Sequence, residues 1–150
     1  SKTYLMTKFL DTKNVSFNQV GNDQILLRYA DVVLMYAEAL NELGYDASES
    51  SIALKQLNAT RTRAGLTKLT AADVPTQESF RKAILDERQK EFPYEGHRWF
   101  DLVRMGYAKS VLAAQGLNIQ DYQLLFPIPQ TEIEKVGNPD ILWQNPGYDK

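Results

Sequence analysis

The stretch from Phe80 to Arg104 places charges where a helical core belongs. On a helix, positions 4, 7 and 11 residues apart are close to whole turns. Phe80, Ile84, Glu87 and Glu91 therefore fall on nearly one line. A face that opens on phenylalanine and isoleucine is continued by two glutamates. A buried carboxylate is very costly unless a cation meets it. The chain must then fold so that arginines reach this face. Arg61, Arg63, Arg88 and Arg98 are the candidates, and Asp31, Glu38 and Asp101 join them in the expected ion-pair network.

Helical signals dominate the rest of the chain. A first helix is expected from about Gln24 to Leu43, stopped by Gly44. A second runs from about Ser51 to Ala64, capped by Ser48 or Ser50 and stopped by Gly65. Thr76 caps a third, with Glu78 in its first turn, and Pro93 ends it near Phe92. Gly96 to Met105 forms a fourth. Helices joined by short loops make αα-hairpins, here one and two, then three and four. Beyond Gly106 regularity fades. Short helices are expected over Lys109–Gln115 and Gln130–Val136. Phe126-Pro127-Ile128-Pro129 must be extended, because alternating prolines forbid a helix. Residues 1–24 read as an extended lead-in, and 25–150 as one helical domain.

Four blocks resemble the C-terminal part of the SusD/RagB family. They are Leu26-Leu27-Arg28-Tyr29-Ala30-Asp31 through Gly44, Leu57-Asn58-Ala59-Thr60-Arg61-Thr62-Arg63-Ala64-Gly65-Leu66, residues 86–104, and Phe126-Pro127-Ile128-Pro129 with Gln144-Asn145-Pro146-Gly147-Tyr148. Their order and spacing also fit. The resemblance implies a mostly α fold of tetratricopeptide-like αα-hairpins with an irregular, proline-rich tail. It also implies a surface lipoprotein of the outer membrane that captures a glycan or other nutrient without catalysis. Such proteins pass ligand to a SusC-like TonB-dependent transporter. The sequence has no cysteine and opens without a signal peptide, which leaves a cytosolic protein or a fragment, and the resemblance implies a fragment lacking its N-terminal part. Most of the family's ligand-contacting aromatics lie in that part, so no binding residue is carried over.

Other classes find less support in the residues. A net charge of −2 gives no reason to expect nucleic acid. Without cysteine there is no disulfide and no thiolate metal site. Glu38, Glu87, Glu91, Glu95 and Asp101 admit a reading as a metal or hydrolase cluster. The only histidine is His97, and Glu-x-x-His does not occur. A structural network is the favoured reading, with no metal and no cofactor. Ile25 to Leu43 is apolar at 14 of 19 positions, yet Arg28, Asp31 and Glu38 argue against a membrane span. So apolar a helix needs cover on several sides, and the isolated chain is expected to self-associate. Trp99, Tyr107, Tyr122, Trp143 and Tyr148 are the candidate rings for stacking on a sugar face. Trp99 is expected in the core and Trp143 over the helical scaffold. A free-standing tetratricopeptide-like interaction scaffold is the alternative function, and a carboxylate-based hydrolase a third.

Overall fold

The computed structural model describes Lys8, Gly21, Asp23 and residues 25–148. The lead-in expected over residues 1–24 lies almost wholly outside them. Among the described residues the chain is helical and has no strand. Six α-helices follow in order: α1 (Tyr29–Leu43), α2 (Ile52–Arg63), α3 (Gln77–Glu91), α4 (His97–Arg104), α5 (Ala108–Ala113) and α6 (Gln130–Val136). A single 3-10 turn over Asp121–Leu124, which the pattern of residues did not indicate, precedes the tail. Helix α1 packs on α2 and α3, α2 on α3, and α3 on α4.

Local chemistry explains most boundaries. Thr76 accepts from the Ser79 amide at 3.1 Å, while the Ser79 hydroxyl accepts from the Thr76 amide at 2.9 Å. That reciprocal pair satisfies two amides at the start of α3. Pro93 follows α3 directly and cannot continue it. Helix α2 is capped by Ser51 itself rather than by Ser48 or Ser50. It ends on Gly65 at φ +75, where the Leu66 amide reaches the Arg61 carbonyl at 2.9 Å and the Gly65 amide reaches Thr62 at 3.0 Å. This is a left-handed helix stop. Gly44 also ends a helix, but in extended backbone at φ 177, so no glycine-specific conformation is needed there. Helix α1 begins at Tyr29 rather than near Gln24, because Arg28 is extended, at φ −136 and ψ 162.

Leu34, Ala37, Leu54, Leu57, Phe80, Ile84 and Phe92 form the main core between α1, α2 and α3. Leu85, Leu102 and Ala108 form a smaller one, with Trp99 and Leu124 packed at its edge. Residues 66–75 return along α2, and Asn58 bonds the middle of the segment twice. Asn58 donates to the Leu69 carbonyl and accepts from the Leu69 amide, both at 2.8 Å. Asn58→Ala leaves both Leu69 groups without that partner. A loss of about 1–3 kcal/mol is expected, measured by urea unfolding. A change below about 0.5 kcal/mol would show that water replaces the clamp.

The tail is organised by the same device. Pro127 and Pro129 have no amide hydrogen, so Ile128 carries the only donor between them. Gln144 accepts from the Ile128 amide and donates to its carbonyl, both at 2.8 Å. Asn145 donates to the Phe126 carbonyl at 2.7 Å, and the Tyr148 hydroxyl to Leu125 at 2.9 Å. The two halves of the fourth sequence block are thus hydrogen-bonding partners. Gly147 lies against the Tyr122 ring, where a Cβ would come within 2.4 Å of it.

Candidate functional site

Glu87 and Glu91 continue the buried face of α3 below Phe80 and Ile84, with Glu87 only 1% exposed. Each carboxylate meets an arginine from another element. Arg61 of α2 donates Nη1 to Glu87 at 3.0 Å and Nε to the Thr67 carbonyl at 3.0 Å. Glu91 accepts from Arg28 at 2.5 Å and also from Arg63. Arg63 is otherwise largely exposed.

The most deeply buried cation of the network among the described residues is Arg88, at 4% exposure. It donates Nη1 to Asp31 of α1 at 2.6 Å and Nε to Asp101 of α4 at 2.7 Å. Both aspartates are buried too. One guanidinium therefore ties three helices together. Arg104 extends the chain of charges outward, donating to Asp101 at 2.9 Å and to Glu38 at 2.8 Å.

Three contributors lie outside the expected network. Arg28 donates to both oxygens of Glu95 at 2.9 Å and to the Glu91 backbone carbonyl at 2.6 Å. It thus caps the C-terminus of α3 with positive charge. Lys8 reaches the same carbonyl at 2.9 Å and pairs with Glu95. Arg104 is the third. The signal for Arg28 was present, since it is a cation inside an apolar run. Arg98, by contrast, is corrected. Among the described residues it pairs with no carboxylate and instead donates to the Leu85 carbonyl at 3.2 Å. Its position on α4 turns it toward the backbone of α3.

Phe92 joins the charges to the core. The Arg28 and Arg88 guanidinium carbons lie 4.5 and 5.0 Å from its ring centre, within cation–π range. His97 begins α4, half-buried, with its ring 4.9 Å from that of Phe92.

Burial pushes the Glu95 carboxyl up, but the bonds from Arg28 and Lys8 outweigh this and hold it below its ordinary value. A carboxyl with a lowered folded pKa contributes stability above its unfolded pKa. That contribution is lost as pH falls through the folded value. Stability should therefore drop as pH is lowered below about 4.5, and Glu95→Gln should flatten that drop. Urea midpoints between neutral and acid pH check this. Parallel curves for the two proteins would contradict it.

The candidate glycan rings are scattered. Trp99 is half-buried at the smaller core, with its centroid 6.3 Å from that of Phe126. Tyr107 bonds Glu78 at 2.5 Å, and burial together with that carboxylate pushes its phenol up to about 12. Tyr122 and Tyr148 meet edge to face at 5.0 Å. Trp143 corrects the expectation that it covers the scaffold, since it is 62% exposed. A groove of about 730 Å³ runs between α2 and residues 66–70, lined by Lys55, Arg63 and Lys68 among others. Among the described residues no group of three or more acidic or histidine side chains is placed to hold a metal ion. None of their helices is long and apolar enough to cross a membrane.

Comparison with known proteins gives a consistent result. The SusD family model matches residues 1–148. SusD-like protein P2 of Formosa agariphila is 35% identical over 85% of this chain and 26% of its own length. The starch-binding protein SusD of Bacteroides thetaiotaomicron is 32% identical over 92% of this chain and 24% of its own. A solved laminarin-binding SusD-like protein superimposes with a TM-score of 0.60 at 34% identity, covering 83% of this chain and 23% of that one. The chain spans about a quarter of the length of these relatives.

Proposed function

The chain belongs to the SusD family, and on that premise we propose that it is the helical C-terminal part, over residues 25–150, of a surface glycan-capturing protein. The captured glycan passes to a SusC-like TonB-dependent barrel in the outer membrane, and a lipid anchor on the full-length protein keeps it at the cell surface. The observation that carries this reading is the family match along residues 1–148, joined to a fold shared with a laminarin-binding relative.

In this reading the chain performs no catalysis. Its carboxylates are engaged by guanidinium groups rather than opposed across a cleft, whereas a glycosidase needs two carboxyls flanking its substrate. The charge network is a clamp that fixes α1, α2, α3 and α4 relative to one another. The scaffold thereby holds a rigid surface for the transporter and for the rest of the protein. The tetratricopeptide-like interaction reading is absorbed here as the docking role of the scaffold.

The test is purification of the family-length protein from detergent-solubilised outer membranes. Recovery with a barrel transporter in about equal amounts is expected. Recovery of the protein alone, from soluble fractions, would overturn the proposal.

A further inference from the structure

The groove of about 730 Å³ between α2 and residues 66–70 carries a local charge opposite to that of the chain, which is −2 overall. Its rim holds Lys55, Arg63 and Lys68, and the one acid lining it is Glu49. That acid is already engaged, accepting from the Ala71 amide at 2.6 Å. The Lys55 and Lys68 ammonium groups have no partner among the described residues. Arg63 bonds Glu91, but Arg28 bonds the same carboxylate, so much of the Arg63 charge is left for another acid. Lys55, Ala59 and Arg63 stand four residues apart on α2 and share one exposed stripe. Between the cations the groove is apolar, along Leu54, Ala59 and Leu69.

The geometry points to this groove as the docking site of a short acidic peptide segment from a partner protein, with apolar side chains interspersed among its carboxylates. Other ligand chemistries fit it less well. No aromatic ring lines the groove, so a sugar finds no face to stack on. A phosphate wants free amides, yet the Leu66 amide is bonded to Arg61, that of Leu69 to Asn58 and that of Thr70 to Asp73. The same bonds leave the loop little edge on which a strand could pair. Recognition therefore falls to side chains: carboxylates to the three cations, and apolar groups onto Leu54, Ala59 and Leu69. Arg63 offers a carboxylate a planar fork, whereas the lysines act as point charges. From Lys55 to Arg63 the helix rises about 12 Å, the span of about four extended residues. The site stands whether or not the longer protein captures glycans.

The probe is a library of fluorescent eight-residue peptides, each position drawn from glutamate, aspartate, leucine and valine. Matched peptides with glutamine and asparagine in place of the acids are the neutral controls. Fluorescence anisotropy is read with the 150-residue chain and with the family-length protein. Acidic members are expected to bind both proteins more tightly than about 1 mM, and more weakly as salt rises. Lys55→Glu with Lys68→Glu should weaken the tightest peptide about tenfold or more. Lys55→Gln with Lys68→Gln should weaken it less, and Ala59→Trp, which fills the groove, should also weaken it. Lys90→Glu, on the exposed side of α3, should leave binding unchanged. All these positions are exposed, so unchanged melting curves are expected for the variants. Four results would each overturn the proposal: no acidic member tighter than about 1 mM, equal binding of the neutral controls, indifference to both lysine pairs, or binding by the short chain that the family-length protein lacks. None of them bears on the family reading or on glycan capture.

Discussion

Arg88→Ala is expected to destabilise the chain by about 3–5 kcal/mol, enough to unfold many domains of this size. The residue is buried at 4% and bonds Asp31 and Asp101, which are themselves buried. Removing it strands Asp31, leaves buried Asp101 with only the half-exposed Arg104, and opens a space between α1, α3 and α4. The size of the loss comes from what remains behind rather than from the worth of the ion pairs. Replacing the whole triad by apolar residues, as in Asp31→Leu with Arg88→Met and Asp101→Leu, is therefore expected to cost far less than Arg88→Ala alone. Guanidinium melts of the two variants decide the matter. A triple variant as unstable as Arg88→Ala would mean that the charges themselves hold the helices together.

Arg61→Ala is the second large effect, at about 3 kcal/mol. Glu87 is 1% exposed, and Arg61 is its ion-pair partner among the described residues. The variant also frees the Thr67 carbonyl, loosening the loop that follows α2. Lys55→Ala and Lys68→Ala are the controls, because both side chains are exposed and should change stability by less than about 0.5 kcal/mol. Glu91→Ala should fall between these extremes. Arg28 keeps Glu95 as a partner when Glu91 is lost, and Arg63 is already largely in water. Equal effects across the panel would show that Glu87 is solvated.

Periodicity made the charged face of α3 legible, because Phe80, Ile84, Glu87 and Glu91 share one line whatever surrounds the helix. The need for arginines followed from the cost of a bare buried carboxylate. Which arginines answer is a tertiary matter. Arg28 reaches Glu91 and Glu95 from an extended residue before α1, a position that no helical period marks. Arg98 lies close in sequence to these acids, yet its donor meets a backbone carbonyl. Helix boundaries were readable where a side chain or a proline enforces them, as at Thr76 and Pro93. They were misplaced at the start of α1, where the apolar run begins at Ile25, ahead of the helix, and Arg28 is extended. In the tail the prolines showed that residues 126–129 are extended. The clamp by Gln144, Asn145 and Tyr148 depends on a chain reversal that local pattern does not encode.

In the proposed function these residues are scaffold, and sugar capture belongs mainly to the remainder of the family-length protein. Calorimetry of the 150-residue chain against laminari- and malto-oligosaccharides tests this directly. The predicted result is no binding tighter than about 1 mM, or about −4 kcal/mol. Micromolar binding by this chain alone would contradict the account and place a sugar site here, with exposed Trp143 and Tyr122 the first residues to replace.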